Sequence, residues 1–178
     1  MKIVAISGSL RANSSNTAVL LAAARLAPVG TEIALFDGIG RLPFFNPDLD
    51  GDTPPDAVAA LRALIGEADG LLISSPEYAR GIAGVMKNAL DWLVASLEFP
   101  NKPVALINTS PRATHALAAL TLTLETMSAK LINEASIALP LLGRAGGAYA
   151  IVAAPELAGP LREAVARFAA AIETLRAT

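Results

Sequence analysis

The stretch "KIVAISGSLRANSSNTAVLLAAARL", Lys2 to Leu26, runs from an unbroken apolar segment through a polar loop into an apolar stripe at helical spacing. Lys2–Ser7 shows no polar alternation, which is the pattern of a strand buried on both faces. Val19, Leu20, Leu21, Ala24 and Leu26 mark one side of a helix. Between them sit Ser7, Gly8, Ser9, Arg11, Asn13, Ser14, Ser15, Asn16 and Thr17, a cluster of small donors around one guanidinium. A helix start leaves backbone N–H groups unpaired and carries partial positive charge, so a junction of this composition suits an anion. An ordinary N-cap also explains one Ser or Asn here, but not the whole cluster. The loop lacks the lysine of G-x-x-x-x-G-K-[ST] and the close-approach glycines of G-x-G-x-x-G. It therefore favours a single terminal phosphate over a dinucleotide pyrophosphate.

The same grammar recurs downstream. Glu32–Asp37, Gly70–Ser75 and Pro103–Ser110 are further apolar runs bounded by turn signals. Helical stripes lie between and after them. Val58, Leu61, Leu64 and Ile65 follow Pro54-Pro55-Asp56. Ile82, Val85, Met86, Ala89, Leu90, Leu93 and Leu97 form a third stripe, with Lys87 and Asp91 paired on its exposed face. Leu117, Leu120, Leu124 and Met127 give a fourth. Leu161, Val165, Phe168, Ile172 and Leu175 give the last. Lys130–Leu139 is the candidate fifth strand, and Gly147–Ala153 reads as a further short strand or a loop. Alternating strands and helices predict an α/β fold: a doubly wound parallel sheet of five strands with helices on both faces. In such sheets, ligands sit beyond the carboxyl ends of the strands, where the strand order reverses.

Composition narrows the function. A chain of 178 residues suits one domain, 1–178, with a sizeable core. A formal net charge of −2 argues against a general nucleic-acid binder. The absence of cysteine excludes thiol catalysis and Cys-ligated metals, and a lone histidine, His115, excludes a multi-His metal site. No apolar run has the length of a membrane span and no signal-peptide pattern is present, so the expected setting is cytoplasmic.

Two more loops follow strands. "SSPEYARG" carries Tyr78, one of two tyrosines, next to Arg80, with Gly81 and Gly84 loosening the turn before the third helix. Tyr78 either flanks a flat ring or simply covers the sheet end; by itself it reads as the latter. "NTSPRATHAL" places Ser110, Arg112, Thr114 and His115 at another helix start. Ser110 or Thr114 as a cap accounts for much of that loop, and His115 reads as a partly exposed helix residue.

"GSLRANSSNTAVL", "LPFFNPDLD", "SPEYARGIAGVMKNALDWL" and "KPVALINTSP" resemble, in order, the segments of NADPH-dependent FMN reductases. These are flavodoxin-like flavoenzymes that include bacterial quinone, chromate and azo reductases. The resemblance covers Lys2 to about Pro111. It implies a 2-1-3-4-5 strand order, FMN as cofactor and NADPH or NADH as co-substrate. It places Ser9, Arg11, Ser14, Ser15, Asn16 and Thr17 at the FMN phosphate. Pro76, Glu77, Tyr78 and Ala79 would line the ring, largely through backbone groups, with Ser110 near the ring or ribityl chain. Arg80 has an electrostatic role toward reduced flavin in this reading, and no side chain is a catalytic acid or base. The implied activity passes a hydride from nicotinamide to FMN and on to a small acceptor such as a quinone or free flavin. The alternative is a non-enzymatic FMN carrier or redox-responsive binding protein. A homodimer or homotetramer is implied. Trp92 and Leu93 either face another subunit or close the chain's own core. The chain departs from the pattern at Ala79, where the family has Asn, at Arg80 and Ala83, and at Arg112-Ala113-Thr114, where it has glycines.

Overall fold

The computed structural model describes residues 1–141 and 147–177. The elements, in chain order, are β1 (Lys2–Ser7), α1 (Ser15–Leu26), β2 (Glu32–Phe36), α2 (Asp56–Glu67) and β3 (Gly70–Ser74). Then come the short strands β4 (Glu77–Tyr78) and β5 (Gly81–Ile82), followed by α3 (Gly84–Leu93), β6 (Pro103–Asn108) and α4 (Thr114–Thr126). The chain continues through β7 (Lys130–Leu131), β8 (Ile137–Ala138), α5 (Gly147–Ala153) and α6 (Pro155–Arg176).

The sheet runs in the order β2-β1-β3-β6, with β7 and β8 sharing the far edge, and all its pairs are parallel. β1 sits between β2 and β3, with Ile3 opposite both Ile33 and Gly70. The order therefore reverses between β1 and β3, which leaves a crevice beyond their carboxyl ends.

Alternate residues of each strand serve two cores. Ile3, Ala5, Leu72 and Ala105 pack with Val19, Leu20, Leu161 and Phe168 on the α1/α5/α6 side. Val4, Ile6, Leu71 and Ile73 pack with Leu61, Met86, Trp92 and Leu124 on the α2/α3/α4 side. This double burial is why the strands read as continuous apolar runs. At Gly70 a Cβ would come within 2.7 Å of Ile172 Cδ1 and 2.9 Å of Phe168 Cζ, so β3 and α6 meet too closely for a side chain there.

Several expectations are corrected. The fifth strand is interrupted: β7 and β8 flank a short helical turn, Asn133–Ala135. Ser136 bridges the break, its Oγ accepting from Leu106 N at 3.0 Å and donating to Ile132 O at 3.1 Å. The hydroxyl satisfies a ladder group that a continuous strand would have paired. Gly147–Ala153 is a helix, α5, not a strand or loop. Ala148 and Ile151, three apart, are buried on its core face, and that packing overrides the strand preference of Tyr149, Ile151 and Val152. The third helix stops at Leu93, so Leu97 lies beyond its stripe, 93% exposed.

Trp92 belongs to the chain's own core and is fully buried. Its Nε1 donates to Pro43 O at 2.8 Å, and its ring meets Phe45 edge-on with centroids 5.0 Å apart. Asn88 grips the same segment twice, donating from Nδ2 to Pro43 O (2.9 Å) and accepting from Phe45 N at Oδ1 (2.8 Å). Arg62 donates to Trp92 O and pairs with Asp50 at 2.7 Å. The "KNALDW" residues thus hold the "LPFFNPDLD" segment, joining two motifs far apart in sequence.

Candidate functional site

Apart from Ser96, every buried polar residue among those described gathers at one place: Ser7, Ser9, Ser14, Asn16, Ser74 and Thr109. They come from the carboxyl ends of β1, β3 and β6 and from the start of α1. Buried polar atoms cost free energy unless paired, so such a cluster has to be built as a network.

The network is continuous. Ser74 Oγ donates to Asn16 Oδ1 (2.9 Å) and also lies 2.8 Å from Ile107 O. Thr109 Oγ1 donates to the same Asn16 oxygen at 3.2 Å. Asn16 thereby ties α1 to the ends of β3 and β6. Ser7 Oγ lies 2.8 Å from Thr17 Oγ1, which fastens α1 to β1. Ser14 is the N-cap, its Oγ accepting from Thr17 N at 3.2 Å. Gly8 donates to Ser74 O at 2.9 Å, and a Cβ on it would fall 2.3 Å from Ser75 Oγ, so the loop crosses the end of β3 in close contact. Among the described residues, the N–H groups of Ser15 and Asn16 at the first turn of α1 meet no acceptor.

Against this network lies a pocket of about 280 Å³. Of the residues singled out in the sequence, it brings together Ser9, Arg11, Ser14, Ser15, Asn16, Pro76, Glu77, Tyr78 and Ser110. Thr17 is turned toward Ser7. Ala79 and Arg80 lie at an exposed hairpin tip outside the pocket lining. The lining also includes Arg112, named in the sequence as part of the polar loop after the fourth strand, and Ser75, Asn108, Thr109 and Ala113, which the sequence did not single out. The polar run "NTS" directly after an apolar strand was the available signal for Asn108 and Thr109. A larger cavity, about 810 Å³, lies on the other flank of α1 against α5. Its described lining holds no charged residue, whereas Arg11 and Arg112 border the smaller pocket.

The pocket wall is a hairpin. β4 and β5 pair antiparallel, Tyr78 opposite Gly81, around the two-residue turn Ala79-Arg80. Both turn residues have positive φ, 48° and 59°. The turn is therefore made by Ala79 and Arg80 rather than loosened at Gly81 or Gly84, neither of which has a positive φ. Two-residue hairpins of this type favour Asn-Gly, because most side chains resist the left-handed region. The double variant Ala79→Asn/Arg80→Gly is expected to raise the unfolding free energy by about 1 kcal/mol, read from urea midpoints. A lower midpoint contradicts the strain argument.

Glu77 anchors this hairpin. Its Oε2 accepts from Ala116 N at 2.9 Å. Helix α4 starts after Ala113 with no side-chain cap of its own, so neither Ser110 nor Thr114 caps it. A carboxylate from a distant strand fills that role, with the helix dipole in its favour. Glu77→Ala is expected to cost about 1–2 kcal/mol and Glu77→Gln less, measured by denaturant unfolding. Equal losses would show that the charge contributes nothing. His115, next to this contact, is exposed on α4.

The donor set fits a mononucleotide phosphate: open N–H groups at a helix start, hydroxyls of Ser9, Ser14 and Ser15, and the Arg11 guanidinium. The family model for NADPH-dependent FMN reductases matches residues 1–141. Over 112 residues the chain is 43% identical to an NAD(P)H-dependent FMN reductase of Pseudomonas aeruginosa, covering 62% of this chain and 60% of that protein. It is 42% identical over 113 residues to a 2-hydroxy-1,4-benzoquinone reductase of a Burkholderia species, covering 62% and 61%. The matched part thus spans about 60% of these curated relatives. Among solved structures, the flavoenzyme NAD(P)H:(acceptor) oxidoreductase FerB of Paracoccus denitrificans superposes with a TM-score of 0.85. That match has 31% identity over 97% of both chains.

Proposed function

Because this chain belongs to the NADPH-dependent FMN reductase family, we infer that residues 1–178 form one FMN-binding domain. In this reading it reduces a small acceptor, such as a quinone or free flavin, with NADPH or NADH. The observation that carries the reading is the convergence of the buried polar network and the open first turn of α1 on one pocket at the strand-order reversal.

Ser9, Arg11, Ser14 and Ser15 would hold the phosphate. Asn16 supports that loop from beneath while its amide group borders the pocket. Pro76, Glu77 and Tyr78 would form the wall for the ring, with Ser110 near the ring or the ribityl chain. Bound FMN would supply the two-electron chemistry, taking hydride from nicotinamide and passing electrons to the acceptor. The chain's own part is to seat the phosphate, orient the ring against the β4–β5 hairpin and hold that hairpin through Glu77. Arg80, at the hairpin tip, would add positive charge near that wall. Among the described residues, no helix is long and apolar enough to cross a membrane and no carboxylate or histidine cluster suits a metal. A cytoplasmic homodimer or homotetramer completes the proposal, and size-exclusion chromatography with light scattering tests the assembly.

The central test is reconstitution. Purified protein mixed with FMN should show a bound-flavin visible spectrum and should oxidise NADPH faster when a quinone is present. A protein that ignores FMN under these conditions overturns the reading.

A further inference from the structure

Two guanidiniums border the pocket. Arg11 enters it from the loop between β1 and α1, and Arg112 from the loop between β6 and α4. In the sheet, β3 separates β1 from β6, so the two loops that carry the arginines follow strands on either side of β3. The one carboxylate in the lining, Glu77, is engaged by the first turn of α4. Among the described residues, neither guanidinium has an ion pair.

Two hydrogen bonds shape the turn that leads to Arg112. Ser110 N donates to Asn108 Oδ1 at 3.0 Å, and Arg112 N donates to Ser110 Oγ at 3.3 Å.

A phosphate seated at α1 is served by Arg11, the serine hydroxyls and the open N–H groups. Arg112, across β3, is left for a different anion. We propose that Arg112 makes the second-ligand side of this pocket selective for an anionic group distinct from the FMN phosphate. The inference rests on the FMN reading above. Two second substrates present that chemistry: the phosphates of a nicotinamide nucleotide, and an ionised hydroxyquinone acceptor.

The experiment uses FMN-loaded protein at low ionic strength, as wild type, Arg112→Ala and Arg112→Lys. Binding is followed by the change in flavin absorbance on titration with NADP⁺, NAD⁺, 2-hydroxy-1,4-naphthoquinone (ionised at neutral pH) and neutral 1,4-naphthoquinone. Arg112→Ala should weaken at least one anionic probe about tenfold, with partial rescue by Lys, because a charge-assisted contact is lost. Neutral quinone and FMN affinities should stay within about twofold, since Arg112 is assigned no charge contact with either. Loss for NADP⁺ alone identifies the 2′-phosphate, and loss for NADP⁺ and NAD⁺ together the pyrophosphate. Loss for the hydroxyquinone identifies an acidic acceptor. Added salt should weaken the selected probe in wild type more than in Arg112→Ala. Unchanged affinities for every anionic probe overturn the proposal, as does an equal loss for the neutral quinone. A tenfold fall in FMN affinity also overturns it, because Arg112 would then belong to the flavin site. Failure of wild type to load FMN defeats the underlying function first, and is seen before any variant is compared.

Discussion

Arg11→Ala is expected to weaken FMN binding about a hundredfold while leaving phosphate-free riboflavin within about twofold. Arg11 is exposed, borders the pocket and stands beside the N-cap of α1, where Ser9, Ser14 and Ser15 converge. A guanidinium meeting a phosphate makes paired, charge-assisted hydrogen bonds that an uncharged ligand end cannot use. Water and salt reach the site, so the difference should shrink as ionic strength rises. Parallel titrations of FMN and riboflavin at two salt concentrations measure it. Equal weakening of both ligands would remove the phosphate role. Asn16 is expected to behave differently from Arg11. Its oxygen accepts from Ser74 and Thr109, so Asn16→Ala should lower stability by about 1–3 kcal/mol as well as disturb binding.

Trp92→Ala is expected to cost about 3–5 kcal/mol of folding stability, the range for emptying a large aromatic site in a packed core. The ring is fully buried, stacks edge-on against Phe45 and donates to Pro43 O. Removing it leaves a cavity between α3 and the 43–50 segment and takes away one of that segment's grips, leaving Asn88 and the Arg62–Asp50 pair. Trp92→Phe keeps much of the volume and loses the indole hydrogen bond. Pro43 O still accepts from Asn88, so Phe should cost about 1–2 kcal/mol. Chemical denaturation gives the two values. Hydrogen exchange should show faster opening of residues 43–50 in the Ala variant. Equal costs for Ala and Phe would mean the site collapses around the deletion and packing is not what holds the segment.

The sequence disclosed the parts of this molecule whose signals are local. Lys2–Ser7, Gly70–Ser75 and Pro103–Ser110 read as strands because burial on both faces demands unbroken apolar residues, and the observed strands are Lys2–Ser7, Gly70–Ser74 and Pro103–Asn108. That a Ser or Asn caps α1 was legible because a helix start needs such a residue, and the structure singles out Ser14. The edge was less legible: Ser136 replaces backbone pairing with a side chain, which no propensity records. Gly147–Ala153 misled for a related reason, since a seven-residue segment carries too little periodicity to separate helix from strand. Within the site, the residues bordering the pocket were largely visible as polar loops after apolar strands. Their division of labour was not. Asn16 and Arg11 look alike as donors in the sequence, yet one is buried beneath the loop and the other exposed beside the pocket.

What the sequence determined by itself is the alternation of the main strands and helices, without the β4–β5 hairpin and α5, and the polar junctions between them. Each follows from short-range rules: periodicity, capping and the residues that turns admit. The tertiary structure alone decided that Glu77 caps α4 from a strand thirty-nine residues away, that Trp92 and Asn88 hold the 43–45 backbone, and that Arg112 borders the same pocket as Arg11. These are partnerships between groups distant in the chain. They arise only when crossover connections bring the ends of β1, β3 and β6 together, and a hydrogen bond or a shared pocket depends on that separation in space.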